Sequence, residues 1–357
     1  MRVDQLVPAF HRGDAIGDEA WELRRFFRAE GCESEIYCLS RDRGLENDSR
    51  LFESFPRPSA SDVTILHYAL PSPLSAALAG LPSRKALIYH NITPASFFEG
   101  VNPEFARVAR LGREELASLA PAVDVSLADS EYNRLELEAL GFRDTHVFPL
   151  FVDFARYNRP ENALLRDLYR DDRTNILFVG RIAPNKRIEH LVKTVFYYKK
   201  YISPLVRLMV VGKTNTFPAY FAAVSRMADE FYLKPEEVLF FGHIPDDEMY
   251  ALYRASDVFL SLSEHEGFCL PLVESMIFDL PVVALAAAAV PYTLGGAGLL
   301  LREFRPDRTA ETVHQAAKDP ALRVQLIESG RRELDRLKRF PREEFLRERI
   351  PGLGRKK

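Results

Sequence analysis

The chain contains few cysteines, and they form no recognisable pattern. Its 357 residues include Cys32, Cys38 and Cys269, an odd number without metal-type spacing. This count does not indicate a disulfide framework or a structural zinc site. We therefore expect reduced thiols in a cytosolic protein.

Long apolar runs are also absent. The N-terminal residues lack the apolar core of a signal peptide, and no run is long enough to span a bilayer. Hydrophobic residues make up 47% of the chain and charged residues 28%, with a formal net charge of −3. This composition is typical of a soluble globular protein and gives no general case for nucleic-acid binding. The length favours two domains.

Three short motifs that would point to common chemistries are missing. No Asp-x-Asp pair occurs, so the usual sequence sign of a divalent ion held against a diphosphate is absent. No Gly-x-Gly-x-x-Gly follows the first predicted strand, which disfavours a nicotinamide enzyme. No Gly-x-Ser-x-Gly elbow occurs either.

The stretch 261–285 carries the strongest pattern that is present. It predicts a strand, a polar loop broken by Gly267, a helix that begins near Pro271, and a second buried strand. Glu266 then lies on the loop at the carboxyl end of a strand, and Glu274 lies in the first turns of the helix. Because a carboxylate accepts two hydrogen bonds at once, each acid suits a pair of sugar hydroxyls. The alternative is that these acids only complement a helix dipole. The backbone N–H groups at the helix start would favour an anion, and they belong to Phe268, Cys269 and Leu270.

Strand and helix patterns alternate in two series. The first series has predicted strands at 3–10, 34–39, 62–67, 85–90, 124–128 and 145–149, and the second at 175–179, 206–211, 238–241, 257–262, 282–285 and 298–301. We expect Asp18 to cap the first helix and the polar stretch 41–58 to be irregular. The alternation predicts an α/β fold of two doubly wound parallel sheets, with a ligand held between two facing domains.

A basic loop follows the first strand of the second series. Arg181 and Lys186 lie on it, after Gly180, beside a predicted helix N-terminus. Two cations with exposed N–H groups suit a diphosphate, and a solvated basic turn is the alternative. It is not a Walker A loop, because the glycines are missing.

Several histidines also follow predicted strands. His90 could donate to a sugar hydroxyl or a phosphate, or it could be a satisfied core residue. We interpret His67 as structural, and expect the backbone of His243 to contact a nucleobase. Cys269 is interpreted as a packing residue, since no base stands beside it in sequence.

One helix of the first half carries Arg107, Arg110 and Arg113. A solvated face is the simpler interpretation. The alternative is a basic surface for anionic lipid headgroups, with peripheral contact at the inner face of a membrane.

Together these residues resemble glycosyltransferase family 4, whose members are retaining enzymes of the GT-B fold. The resemblance is carried by the stretch 261–276 with Pro281-Val-Val-Ala, by Phe178-Val-Gly-Arg-Ile with Lys186, and by Gly242-His-Ile-Pro, Tyr253-Arg-Ala-Ser-Asp257, Ala289-Val-Pro, Asp129-Ser-Glu-Tyr-Asn133, Gly13-Asp-Ala-Ile-Gly17 and Tyr89-His-Asn-Ile-Thr-Pro94. It covers nearly the whole chain. The fold it implies is two Rossmann-like domains with an interdomain cleft, at 1–153 and 175–340. A linker at 154–174 joins them, and a C-terminal helix at about 341–357 returns to the first domain.

The resemblance also implies roles for individual residues. Arg181 and Lys186 hold the donor diphosphate, and we call these two residues the phosphate clamp. Glu266 holds the donor sugar together with the backbone of 267–270. Glu274 binds the ribose hydroxyls, and Gly17, on a first-half loop, approaches the phosphates. His90 lies near the transferred sugar. No metal or other cofactor is implied.

Two positions depart from the family pattern. Many members have glycine where Cys269 stands, and many have glycine after the clamp lysine, where this chain has Arg187. Both departures concern the backbone near the donor.

The resulting expectation is a cytoplasmic, metal-independent, retaining hexosyltransferase. It would move a hexose from a UDP- or GDP-sugar to a saccharide or lipid-linked hydroxyl acceptor, in polysaccharide, lipopolysaccharide or other glycoconjugate synthesis. Two alternatives stay open, a nucleotide-sugar epimerase of GT-B type and a nucleotide-sugar-binding protein without catalysis.

Overall fold

The computed structural model describes residues 1–353, which form two compact units. Unit 1 contains Met1–Ser96 and Glu104–Val152, together with the described part of Phe340–Lys357. Unit 2 contains Phe97–Pro103 and Asp153–Arg339. The last four residues of the predicted C-terminal helix, 354–357, lie outside the described residues.

Unit 1 is built on a seven-stranded parallel sheet with the order β3-β2-β1-β4-β5-β6-β7. Its strands are β1 (Val3–Phe10), β2 (Ile36–Arg41), β3 (Arg50–Leu51), β4 (Val63–Tyr68), β5 (Arg84–Tyr89), β6 (Val125–Ala128) and β7 (Thr145–Val147). Four helices lie before residue 153 in the chain. They are α1 (Ala15–Ala29), α2 (Pro73–Ala79), α3 (Pro103–Leu119) and α4 (Glu131–Ala139). The central strands are buried and rich in Val, Ile and Leu, as parallel strands covered on both faces must be.

Two details of unit 1 differ from the sequence-based expectation. The stretch 41–58 was expected to be irregular, but it contains the short edge strand β3, whose two residues are exposed. Asp18 does not cap α1. Asp14 does, because its carboxylate accepts from the N–H of Gly17 at 2.7 Å and the helix therefore begins earlier.

Unit 2 is built on a six-stranded parallel sheet with the order β10-β9-β8-β11-β12-β13. Its strands are β8 (Thr174–Val179), β9 (Val206–Val211), β10 (Val238–Gly242), β11 (Val258–Ser261), β12 (Val282–Leu285) and β13 (Leu299–Leu301). Its helices are α5 (Ala163–Leu168), α6 (Ile188–Tyr201), α7 (Pro218–Glu230), α8 (Asp246–Ala255), α9 (Leu270–Ile277), α10 (Val290–Leu294), α11 (Pro306–Lys318) and α12 (Pro320–Lys338). The strand order places β8 beside β11, so the loops that follow these two strands open at the same edge.

The chain ends in unit 1 with α13 (Arg342–Arg349). Leu346, Ile350 and Leu353 are buried there in the same apolar cluster as Val3 and Phe27. The C-terminal segment is therefore part of the core of unit 1. No helix within residues 1–353 combines the length and the apolarity that a membrane crossing requires.

Candidate functional site

The basic loop and the acidic loop of unit 2 meet at the carboxyl ends of β8 and β11. The Nζ atom of Lys186 lies 2.6 Å from both carboxylate oxygens of Glu266. Their side chains are only 16% and 9% exposed. A cation and a hydrogen-bond acceptor therefore lie directly beside each other at this edge of the unit 2 sheet.

Backbone and side-chain bonds fix the two loops to each other. Asn185 donates from its side chain to the carbonyl of His265 at 2.9 Å, and its own carbonyl accepts from the N–H of Glu264 at 2.9 Å. Arg187 donates to the Glu264 carboxylate at 2.6 Å. Asn185 was not among the predicted site residues, although its position immediately before Lys186 was a usable signal.

Arg181 differs from Lys186 in its contacts. Within residues 1–353 its exposed guanidinium makes no hydrogen bond or ion pair. Arg181 directly follows Gly180 in the chain. The N–H of Gly180 donates to the carbonyl of Val211 at 2.9 Å and continues the hydrogen-bond ladder between β8 and β9. A Cβ atom on Gly212 would lie 2.0 Å from the Gly180 carbonyl oxygen, so this close approach requires glycine. The bonded backbone supports a guanidinium that is free to meet an anion.

Two residues of the site have left-handed backbones. Arg187 has a φ of 50° and Cys269 a φ of 69°, and each stands immediately before a helix, α6 and α9 respectively. These are the two positions where many members of the resembled family have glycine. The structure shows why, because glycine enters this region without the strain that a Cβ atom brings.

Cys269 packs against Glu266, the acid that pairs with Lys186. Burial raises the pKa of its thiol well above the usual range, and Glu266, to which the thiol is hydrogen-bonded, raises that pKa further. A thiol in this state is protonated and unreactive. Its place is therefore that of a small packing residue beside Glu266.

Glu274 is held by two tyrosines. Its Oε1 atom accepts from the Tyr157 hydroxyl at 2.9 Å and its Oε2 atom from the Tyr253 hydroxyl at 2.8 Å. Burial raises the pKa of this carboxyl, and the two hydroxyls act against that shift. A carboxylate offers about four lone-pair sites, so one remains on each oxygen for another donor. The sequence analysis named neither tyrosine.

The remaining predicted donor contacts lie around the same loops. His243 is exposed and directly follows β10. Phe268 is buried, and its carbonyl accepts from the Thr293 hydroxyl. Gly267 is half-buried, and so is Leu270, the first residue of α9. The structure thus places Glu266 in contact with both Lys186 and Cys269. Arg181 and His243 are exposed residues that follow β8 and β10.

His90 directly follows β5 in unit 1, and both of its ring nitrogens have partners. Nδ1 lies 3.1 Å from Asp129 Oδ2, and Nε2 lies 3.0 Å from His67 Nδ1. Glu19 Oε2 lies 3.8 Å from the same Nε2 atom. Burial opposes the charged ring, but the nearby carboxylates, Asp129 above all, outweigh it and raise the pKa of His90.

The ligand atoms of Glu19, His67 and His90 lie within 4.8 Å of one another, which raises the question of a metal site. The two imidazole planes differ by 5° and their centroids lie 5.3 Å apart, so the rings face each other nitrogen to nitrogen. A metal binds along each lone pair at about 2 Å. Two nitrogens that face each other across 3.0 Å leave no room for it. The geometry is that of a hydrogen bond.

Gly17 lies inside the first turn of α1 rather than on a loop. A Cβ atom there would lie 1.6 Å from the carbonyl oxygen of His11, and its N–H is taken by Asp14. The need for glycine at this position therefore has a cause within unit 1.

The three arginines of α3 do not form a surface of free cations. Arg107 pairs with Glu104 at 2.6 Å, and Arg113 pairs with Glu136 at 2.7 Å. Arg113 also donates to the carbonyl of Ile92 at 2.9 Å. These acids offset much of the charge that the sequence alone suggested.

Comparison with known proteins shows what the second unit is similar to. Residues 166–333 match the family model described as "Glycosyl transferases group 1". The chain is similar to a GDP-mannose-dependent alpha-mannosyltransferase of Mycobacterium tuberculosis (strain CDC 1551 / Oshkosh), with 29% identity over 71% of this chain and 65% of that protein. It is 24% identical to O-antigen chain mannosyltransferase B of Escherichia coli over 41% of this chain and 38% of that protein. The matches thus span less than two thirds of the length of these relatives.

A solved structure supplies the fold. Anabaena Alr3699/HepE, solved in complex with UDP-glucose, superposes with a TM-score of 0.71 at 16% identity, over 98% of each chain. The predicted fold class is therefore confirmed as two parallel-sheet α/β domains of GT-B type. Taken together, the family model and the named relatives support a group 1 glycosyltransferase.

Proposed function

We propose that this protein is a retaining, metal-independent glycosyltransferase that moves a hexose from a UDP- or GDP-sugar to a hydroxyl acceptor. The observation that carries the proposal is the Lys186–Glu266 pair at 2.6 Å. Arg181, whose side chain is unpaired within residues 1–353, lies on the same loop as Lys186. The mannosyltransferase relatives and the UDP-glucose complex support a nucleotide-sugar donor. Saccharide or lipid-linked acceptors of polysaccharide or glycoconjugate synthesis fit the same relatives.

The chemistry follows from charge. As the sugar–phosphate bond breaks, negative charge grows on the leaving nucleoside diphosphate, and Arg181 and Lys186 stabilise it in the transition state. Glu266 accepts hydrogen bonds from the sugar hydroxyls, and Glu274 accepts them from the ribose. A donor phosphate oxygen takes the proton of the acceptor hydroxyl, and His90 lies near the transferred sugar.

Setting and location follow the same proposal. We place the enzyme in the cytoplasm, with the inner face of a membrane as the site of a lipid-linked acceptor. Cosedimentation with anionic vesicles tests peripheral binding. Because Arg107 and Arg113 are paired with acids, we expect any binding to be weak and salt-sensitive.

The decisive experiment is product analysis with a panel of nucleotide sugars and acceptors. A thermal-shift screen first selects the donor, since a ligand that binds the folded state raises the melting temperature. Transfer of the sugar with retained anomeric configuration supports the proposal. A changed sugar still attached to its nucleotide indicates an epimerase. Binding of the donor without turnover across the panel indicates a non-catalytic binding protein.

A further inference from the structure

A chain of hydrogen bonds in unit 1 begins at a side-chain amide. Gln5 donates from Nε2 to the carbonyl of Ala20 at 2.9 Å, so its Oε1 atom points the other way, to His67 Nε2 at 2.9 Å. A carbonyl oxygen only accepts. The proton on the His67 ring is therefore on Nε2, and the neutral ring presents Nδ1 as an acceptor.

The next two bonds then determine the protonation of His90. Its Nε2 atom faces the acceptor Nδ1 of His67 at 3.0 Å and so must carry a proton. Its Nδ1 atom faces the carboxylate of Asp129 at 3.1 Å and must carry one as well. A ring with two donors is an imidazolium, and it is His90 rather than His67, since only His90 touches a carboxylate.

We propose that Gln5, His67 and Asp129 are positioning residues that hold His90 as an imidazolium in one fixed orientation at the carboxyl edge of the unit 1 sheet. Its function in glycosyl transfer rests on the proposed function above. In this arrangement His90 carries a fixed positive charge at that edge of unit 1. Neither of its N–H groups is available to a ligand until a bond of the network breaks.

The surroundings of His90 contain further charges. Asp14 and Glu19 approach from α1 and Asp129 from the end of β6, and Arg342 at the start of α13 faces Glu19 and Asp129. Burial raises the pKa of Glu19 to about 7, an effect that His90 and Arg342 oppose and Asp129 supports. Glu19 also lines a cavity of about 470 Å³ beside α1 and α13. The imidazolium is thus paired with Asp129 and faces a second acid that titrates near neutrality.

The test is nitrogen-detected NMR of the full chain labelled at histidine. The chain has eight histidines, and His90→Gln and His67→Gln assign the two signals. We expect His90 to show two protonated ring nitrogens at pH 7.5, and His67 to show a neutral ring protonated at Nε2. A neutral His90, or a doubly protonated His67, would overturn the proposal.

A substitution that preserves shape separates charge from structure. Asp129→Asn keeps an acceptor near Nδ1 but removes the negative charge, so we expect His90 to lose a proton at pH 7.5. The matched control is His146→Gln, which removes a half-buried histidine bonded to Asp144 at 2.6 Å and leaves the His90 signals unchanged. His90 signals that stay doubly protonated in Asp129→Asn would contradict the assigned role of Asp129. The wild-type spectrum decides the protonation state even if this variant does not fold.

Activity supplies the second measurement. If the transferase assay works, we expect Asp129→Asn to lower kcat at least tenfold at pH 8, with less effect at pH 6, where the histidine recharges. A pH-independent loss would mean that Asp129 is only structural. If the NMR spectra show the expected protonation of His90 and His67 but the protein has no transferase activity, the hydrogen-bond network is supported and the proposed function is contradicted.

Discussion

Arg187 and Cys269 have left-handed backbones on two loops that Asn185 ties together, each one residue from a helix. Because a Cβ atom is strained in this conformation by about 1–2 kcal/mol, glycine suits both positions. The natural side chains offset part of that strain, since Arg187 pairs with Glu264 and Cys269 packs on Glu266.

The first prediction concerns Arg187. We expect Arg187→Gly to change the free energy of unfolding by less than about 1 kcal/mol, whereas Arg187→Val destabilises by about 2 kcal/mol, because branching at Cβ adds to the strain. Denaturant unfolding measures both. The same pair of substitutions at Lys193, inside α6, is the control, and there glycine is the more harmful residue. Equal effects of glycine and valine at position 187 would rule out backbone strain.

The second prediction concerns the phosphate clamp. Arg181→Ala should lower kcat/KM about a hundredfold, roughly 3 kcal/mol, without loss of stability, because this side chain makes no hydrogen bond or ion pair in the described part of the chain. Arg331→Ala, which removes an exposed arginine paired with Asp279 in the same unit, should leave activity unchanged. Activity of Arg181→Ala within threefold of wild type would refute the clamp.

Lys186 should behave differently from Arg181. Lys186→Ala leaves the nearly buried Glu266 without its cation, so we expect a stability loss of about 3 kcal/mol in addition to the loss of rate. The double variant Lys186→Ala with Glu266→Gln should recover stability but not activity. A double variant as unstable as the single one would mean that the uncompensated charge is not the cause.

A further prediction concerns the tyrosines on Glu274. Tyr157→Phe and Tyr253→Phe each remove one donor, so the pKa of Glu274 should rise further and its affinity for a ribose diol should fall about tenfold, about 1.4 kcal/mol. Calorimetry with UDP and GDP measures the change. Tyr250→Phe is the control, because that hydroxyl bonds the carbonyl of Arg156 and not Glu274. Unchanged affinity in both variants would show that Glu274 does not depend on these hydroxyls.

The pH dependence of the free energy of unfolding should reflect the titration of Glu19. Its folded-state pKa of about 7 lies above the ordinary value of 4.5, so the folded state binds the proton more tightly. Stability from this group is therefore fully present below pH 4.5 and falls as the pH rises to 7. The raised pKa of His90 acts in the same direction above pH 6.5. Glu19→Gln should flatten the slope between pH 4.5 and 7, and Glu22→Gln on the same helix should not. A slope that survives Glu19→Gln would assign it to other groups.

Metal independence gives the last prediction. We expect EDTA to leave the transfer rate within twofold, since Arg181 and Lys186 supply the positive charge. A rate restored specifically by Mg²⁺ or Mn²⁺ after chelation would contradict it.

The parts of the site that follow from local pattern could be predicted from the sequence. Lys186 and Glu266 each follow a short apolar strand, and parallel strands end at one edge, so their shared location could be anticipated. The partners that arrive from distant positions could not. Tyr157 meets Glu274 across 117 positions, and Gln5 meets His67 across 62. Such pairs depend on how distant helices and strands pack together. The local hydrophobic pattern of the sequence does not determine that packing.

The left-handed backbone conformation of two site residues could not be predicted from the sequence either. The sequence showed that Arg187 and Cys269 depart from glycine, but not that both keep the conformation glycine favours. The helix start at Asp14 was missed because Asp14 and Asp18 are both acceptable caps by residue type. In the structure the Asp14 carboxylate accepts from the N–H of Gly17, and the Asp18 carboxylate accepts from the N–H of Gly13 instead.

The return of α13 to unit 1 has a consequence during synthesis on the ribosome. Leu346, Ile350 and Leu353 complete a core whose other members, such as Val3 and Phe27, are translated first. At about 5–20 residues per second, the nascent N-terminal half waits roughly 10–40 s with an apolar face uncovered while 153–339 is made. Truncation before α13 should therefore yield chains that chaperones retain, even though every residue of the clamp is present.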